Sequence, residues 1–211
     1  MISKDARPIY LASRSPRRRT LLEQIGIRYV LLGDGKEDGV DESVHAGETP
    51  AAYVERIARA KADAGWAHVR SGKLTPAPVL AADTAVIAAH RILGRPVERT
   101  EAARMLGLLS GTTHEVLTGV ALRGTAQTTF ALSRSRVTFR RLDDDEIRAY
   151  LATGEADDKA GAYAIQGRAA QFVVSIEGSY SGVMGLPLYE TAQLIERIDR
   201  IERIGMDRTG P

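Results

Sequence analysis

Val79-Leu80-Ala81-Ala82-Asp83-Thr84-Ala85-Val86-Ile87 is an apolar run interrupted by Asp83 and Thr84. Its length and composition read as a strand buried on at least one face. A lone ionised carboxylate in such a strand is expensive unless a cation, a metal ion or hydrogen-bond donors meet it. Asp83 therefore calls for a partner.

Toward the N-terminus, Pro8-Ile9-Tyr10-Leu11-Ala12-Ser13 reads as a strand, and Ser15-Pro16-Arg17-Arg18-Arg19 opens a helix. Ser15 suits its cap and Pro16 its first turn. Leu21, Leu22 and Ile25 form an apolar stripe that stops near Gly26. Three arginines in the first turn oppose the helix dipole, by roughly 0.3–1 kcal/mol per group. A bound anion would remove that penalty, because free N–H groups at a helix start and guanidinium forks together make a phosphate site.

Arg28-Tyr29-Val30-Leu31-Leu32 reads as a short strand. The acidic, glycine-rich stretch from Gly33 to Glu42 follows as a loop, whose carboxylates are either solvated or available to a hard metal ion. Thr49-Pro50 starts a second helix, and the stripe Val54, Ile57, Ala58, Lys61 puts an ammonium on its apolar face. Lys61 has two readings. It snorkels to water, or it pairs with a phosphate or a buried carboxylate, for which Asp83 is the natural partner.

Beyond the Asp83 strand, Ala89-His90-Arg91 reads as a turn into Ile92-Leu93-Gly94-Arg95-Pro96. A helix capped by Thr100 follows, with Ala103, Leu106 and Leu109 inward. Thr113 to Leu122 and Thr128 to Phe139 form an antiparallel hairpin, and Asp143 caps a short helix that Gly154 ends. Asp157 to Gly167 is rich in small residues, which let a ligand approach backbone closely, so it reads as a binding loop. Phe172 to Ile176 is a strand and Gly178 to Gly182 a turn. The last helix, from about Leu188, carries Ala192, Ile195, Ile198 and Ile201 inward, and the tail from Gly205 reads as frayed. This pattern predicts a mixed α/β sheet flanked by helices.

Composition sets the outer limits. The chain has 211 residues, enough for a sizeable core; 27% are charged and 44% hydrophobic, as in an ordinary globular protein. A formal net charge of +2 is too balanced to argue for nucleic acid. With no cysteine, disulfides, thiolate catalysis and zinc–thiolate sites are excluded. No apolar stretch reaches the roughly 18–20 residues that span a bilayer, and the N-terminus lacks a secretory apolar region, so the cytosol is the expected location. His45, His68, His90 and His114 lack metal-like spacing. Residue types alone thus point to a metal-assisted phosphoanhydride hydrolase, in which a carboxylate such as Asp83 orients or deprotonates water.

Leu11-Ala12-Ser13-Arg14-Ser15-Pro16-Arg17-Arg18, Ala82-Asp83-Thr84 and Asp158-Lys159-Ala160-Gly161-Ala162-Tyr163 resemble the motifs of the Maf family of nucleoside triphosphate pyrophosphatases. Gly178-Ser179-Tyr180 and Gly185-Leu186-Pro187-Leu188 match in the same order, so the likeness runs from about Ile9 to the last helix. It implies one Maf/ITPase-like domain over 1–211, an elongated central sheet in two lobes around an active-site cleft. The implied reaction cuts between the α and β phosphates, giving the monophosphate and pyrophosphate with a divalent cation, Mg2+ first and Mn2+ or Co2+ as substitutes.

Carried over by position, Asp83 falls on the family's proton acceptor and Lys61 on a lysine of the cleft, and Asp41 joins Asp83 as a metal-binding acid. Ser13, Arg17 and Arg18 fall on the phosphate-binding motif, and Thr84, Arg95, Lys159 and Gln166 complete the substrate-binding set. Arg17, Thr84 and Gln166 match the subgroup that acts on dTTP and UTP. An amide such as Gln166 offers a donor and an acceptor to the O4/N3–H edge of uracil or thymine. There are departures: Gly94-Arg95-Pro96 stands where the family usually has Gly-Lys-Pro, Ala164 replaces a usual glycine, and the loop from Gly33 to Gly39 is longer than typical. The resemblance further implies a homodimer, with no stable nucleic-acid or membrane partner. The alternative is a nucleotide-binding regulator of septum formation that acts through a protein partner.

Overall fold

The computed structural model describes residues 8–32 and 39–207, with side chains as far as Ile201. The loop acids Asp34, Glu37 and Asp38 lie outside the described residues. The strands are β1 (Ile9–Leu11), β2 (Tyr29–Leu31), β3 (Val79–Ala88), β4 (Arg91–Leu93), β5 (Thr113–Arg123), β6 (Thr128–Phe139) and β7 (Val173–Glu177). The helices are α1 (Pro16–Gln24), α2 (Pro50–Ser71), α3 (Arg99–Leu109), α4 (Asp144–Leu151), α5 (Tyr180–Met184) and α6 (Leu188–Asp207).

The seven strands form one mixed sheet in the order β2-β1-β3-β5-β6-β7, with β4 paired to β3. β1 runs parallel to both β2 and β3, whereas β4 is antiparallel to β3 and β7 to β6. The expected mixed α/β class is therefore the observed one.

The chain forms two compact units, Met1–Asp83 with Gly119–Leu132 and Gly185–Pro211, and Thr84–Thr118 with Ser133–Met184. In the first, α2 lies against β1 and β3, with Ala58, Ala62 and Val69 packed among Ala12, Leu32, Val79, Ala81 and Ala121. Gly65 allows the close approach, since a Cβ there would stand 2.8 Å from a Val79 methyl and 3.1 Å from the Ala12 Cβ. In the second, Leu106 and Leu109 of α3, Val137 and Phe139 of β6, Tyr150 of α4, and Tyr163 and Phe172 build an aromatic-rich core. Rings of Phe139, Tyr163, Tyr150 and Phe172 meet edge to face at centroid distances of 4.9–6.0 Å.

Local differences from the sequence reading have physical causes. α3 begins after Glu98, whose carboxylate takes the Thr100 hydroxyl, and its buried stripe is Ala102, Met105, Leu106 and Leu109. The turn expected at Gly178–Gly182 winds into α5, because the Ser179 hydroxyl accepts the Gly182 N–H at 2.9 Å. α6 continues past Gly205 to Asp207, and no proline interrupts it.

Candidate active site

The polar centre of the first unit is built on β3 and α2. Asp83 is 7% exposed and Lys61 only 1%, so the snorkelling alternative for Lys61 falls away. The Lys61 ammonium donates to Asp83 Oδ1 at 2.9 Å and lies 2.7 Å from Glu42 Oε1, bridging two carboxylates. The helical period explains its reach. Lys61 lies four residues beyond Ile57 and three beyond Ala58, both fully buried, so its stem runs inward with theirs.

Burial pushes the Asp83 carboxyl above the usual carboxylate range, while the positive charges of Lys61 and Arg18 pull it part of the way back. The net direction is upward, which makes Asp83 more basic than a solvated aspartate.

Arg18 belongs to the same unit. It is buried, donating Nε to the Gly185 carbonyl at 2.8 Å and Nη1 to Ser13 Oγ at 3.0 Å. Ser13 Oγ also accepts the Ser15 N–H at 3.2 Å, leaving the hydroxyl proton unused by these contacts. Ser15 is the N-cap residue of α1 as expected, but its own side chain caps nothing. Arg17 is half-buried in the first turn, where no acid balances the dipole. The helix start is thus cationic, with one guanidinium locked and a serine hydroxyl beside it.

The acidic loop divides its two neighbouring acids. Asp41 is exposed, and its Oδ1 accepts the Ser43 N–H at 2.9 Å while Oδ2 lies 3.5 Å from the His45 ring. Hydrogen bonds from Ser43 hold its carboxyl down at about 2. Glu42 instead reaches Lys61. The geometry therefore brings Glu42, not Asp41, to the Lys61–Asp83 pair, and Asp41 braces the loop.

In the second unit Thr84 and Thr118 share a hydrogen bond of 3.0 Å, and Thr118 donates to the Gly182 carbonyl at 2.8 Å. Since the single Thr118 proton goes to that carbonyl, Thr84 is the donor of the first bond and offers only lone pairs to anything else. Gly161 has φ +69° and lies so close to β3 that a Cβ would meet the Val86 methyls at 2.9 Å, and its N–H donates to the Gly94 carbonyl at 3.1 Å. This bond sets the Asp158–Tyr163 loop against the segment that carries Arg95. Arg95 and Gln166 are exposed, and the half-buried Lys159 donates to the Asp157 carbonyl at 2.9 Å. Ala164 fits without strain: it has no positive φ, and its N–H donates to the Tyr150 hydroxyl at 3.0 Å.

Among the described residues no group of three or more histidine or acidic side chains forms a metal cage. Two carboxylates around one ammonium are nonetheless a hard-oxygen donor set. Mg2+ commonly takes one or two carboxylates and completes its shell with substrate phosphates and water, so Asp83 and Glu42 fit a cation that arrives with a polyphosphate. No described helix is long and apolar enough to cross a membrane.

A family model described as Maf-like protein matches residues 8–198. The dTTP/UTP pyrophosphatase of Aromatoleum aromaticum is 55% identical over 89% of this chain and 94% of its own. The enzyme of the same name from Dechloromonas aromatica is 54% identical, over 90% and 96%, and that from Nitrosomonas europaea 51% identical, over 93% and 97%. A solved structure, the Staphylococcus aureus Ham1 protein, aligns with 63% of this chain and 72% of its own at a TM-score of 0.39 and 14% identity, a level from which nothing about function follows. On the near full-length family match and relatives that share more than half of their residues, the chain belongs to the Maf family.

Proposed function

We propose that this chain is a nucleoside triphosphate pyrophosphatase that cleaves dTTP and UTP, and modified pyrimidine triphosphates of similar shape, to the monophosphate and pyrophosphate. The observation that carries the reading is the buried Lys61 ammonium held between Asp83 and Glu42, in the same unit as the Ser13–Arg18 pair. The relatives named dTTP/UTP pyrophosphatase add the substrate class.

Chemically, Asp83 accepts the proton of the attacking water as the new O–P bond forms and the P–O bond bridging the α and β phosphates breaks. Its raised affinity for a proton suits that task. Lys61 and Arg18 offset the charge that gathers on phosphate oxygens, and the Ser13 hydroxyl proton is available to one of them. Asp83 and Glu42 would hold a divalent cation, Mg2+ or Mn2+, which when bound neutralises phosphate charge. Arg17, Arg95 and Lys159 are assigned to the phosphates, and Thr84 and Gln166 to the nucleoside. A homodimer working on cytoplasmic nucleotide pools is part of the same reading.

A panel of common and modified nucleoside triphosphates, assayed with Mg2+ and Mn2+ and scored separately for pyrophosphate and phosphate, tests it. Pyrophosphate release fastest from dTTP and UTP is expected. Phosphate release, or nucleotide binding without turnover, would overturn the assignment.

A further inference from the structure

Three consecutive backbone carbonyls, those of Asp41, Glu42 and Ser43, are taken by side chains of α2. The Tyr53 hydroxyl donates to the Glu42 carbonyl at 3.0 Å. Arg56 donates Nη1 to the Asp41 carbonyl at 2.9 Å and Nη2 to the Ser43 carbonyl at 2.7 Å. The backbone on both sides of Glu42 is therefore tied to a helix, and its side chain extends to Lys61 on the same helix.

Arg56 is itself held rigidly. Its Nε and Nη2 fork onto Glu48 at 2.6 and 2.8 Å, and Glu48 accepts the His45 N–H at 3.1 Å. Arg56 holds the Glu48 carboxyl down at about 2, so the fork stays charged through the working pH range. Burial and the nearby charges of Asp83 and Glu42 push the Tyr53 phenol up to about 12, so it keeps the proton it donates. A planar guanidinium can serve two carbonyls and a carboxylate together, which a lysine ammonium cannot do from one point.

We propose that Arg56 is a positioning residue: by gripping the carbonyls on either side of Glu42 it presents that carboxylate to the Lys61–Asp83 pair, and so sets how tightly the site holds a divalent cation. This rests on the reading that Asp83 and Glu42 meet a metal–nucleotide complex. Arg56 touches no reacting atom. Its work differs from that of an ordinary surface ion pair, which adds little to stability and directs nothing.

The test uses the full chain as wild type, Arg56→Met, Arg56→Lys and Glu42→Gln. Mn2+ binding is followed by electron paramagnetic resonance with a dTTP analogue whose α–β bridge is a methylene, and amide hydrogen exchange is followed over residues 40–48. Arg56→Met is expected to weaken Mn2+ about 10-fold or more, as loss of a residue that orients a metal ligand does. Exchange in the loop should quicken, and the Mn2+ needed for half-maximal turnover should rise while the nucleotide KM stays within about twofold. Arg56→Lys should recover only part of the Mn2+ affinity, and Glu42→Gln should lose it without quickening the loop. Unchanged Mn2+ affinity in Arg56→Met overturns the proposal, as does a loss matched by a fall of all kinetic constants together with the thermal midpoint. If the wild type releases pyrophosphate from no nucleotide, the assigned reaction fails by itself, and Mn2+ affinity and hydrogen exchange still decide the role of Arg56.

Discussion

Both units bury neutral polar groups, but among the described residues the buried charges fall in only one of them. The first encloses charge: Lys61, Asp83 and Arg18 are each at most 9% exposed, and opposite signs balance at hydrogen-bond distance. The second encloses neutral groups. His114, Thr118 and Ser135 are each at most 3% exposed, and their described bonds run to hydroxyls and backbone. Buried ion pairs seldom repay their desolvation in stability, whereas neutral hydrogen bonds each contribute on the order of 1 kcal/mol. The contrast accords with the proposed reaction, in which the charges of the first unit serve chemistry while the neutral bonds of the second hold its loops.

Replacing Asp83 should break this contrast most sharply. Asp83→Asn is expected to lower turnover by about 10²–10⁴. The thermal midpoint should hold, because the substitution removes a charge that burial already disfavours and Lys61 keeps Glu42 as partner. Steady-state pyrophosphate release with calorimetry on the same samples checks both halves. A large fall in the midpoint would show that the ion pair serves the fold.

The counterpart in the second unit is His114, whose Nε2 meets the Tyr163 hydroxyl at 2.9 Å and whose ring stands edge-on to Phe139 and Tyr163. Nδ1 has no partner among the described residues, and burial lowers the ring from 6.5 to about 4. The folded ring thus stays neutral where the unfolded one has already gained a proton. Its contribution is whole above the unfolded value near 6.5 and is lost as pH falls toward 4, by about 3 kcal/mol in all. Urea unfolding of wild type and His114→Gln from pH 7 to 4 should show the variant losing less of its stability. Parallel curves would mean that the ring is already charged or solvated.

A smaller effect is expected at Thr118. Thr118→Val removes the proton that the Gly182 carbonyl takes and the oxygen that Thr84 donates to, and should cost about 1–3 kcal/mol in the same unfolding assay. Turnover should fall far less than in Asp83→Asn. If it falls equally, the neutral network shares in the chemistry.

How much of this was legible in the sequence depended on local regularity. Asp83 stood out because a strand surrounds it with apolar neighbours, and Lys61 because a helix fixes the direction of every fourth side chain. The choice between Asp41 and Glu42 was not legible. In an irregular loop no period says which of two adjacent acids turns inward, and here Arg56 and Tyr53, more than ten residues away, decide it. Ser15 takes the N-cap position that the sequence indicates, but the sequence does not show that its side chain makes no cap hydrogen bond. The hairpin of β5 and β6 was placed to within a residue, because Gly124 to Gln127 breaks two long β-prone runs.

The tight turn between β3 and β4 offers a handle for protein engineering. Ala89 and His90 have φ of +47° and +60°, and the flanking Ala88 and Arg91 pair across the ladder. Asparagine followed by glycine is the pair such a two-residue corner favours, and both side chains there are exposed. Installing Ala89→Asn with His90→Gly should raise stability by about 1 kcal/mol, or about 2–4 °C in melting temperature. Heat tolerance gained at this exposed corner would give a hardier parent for the substitutions above, because an enzyme with stability to spare survives the loss of its most demanding side chains.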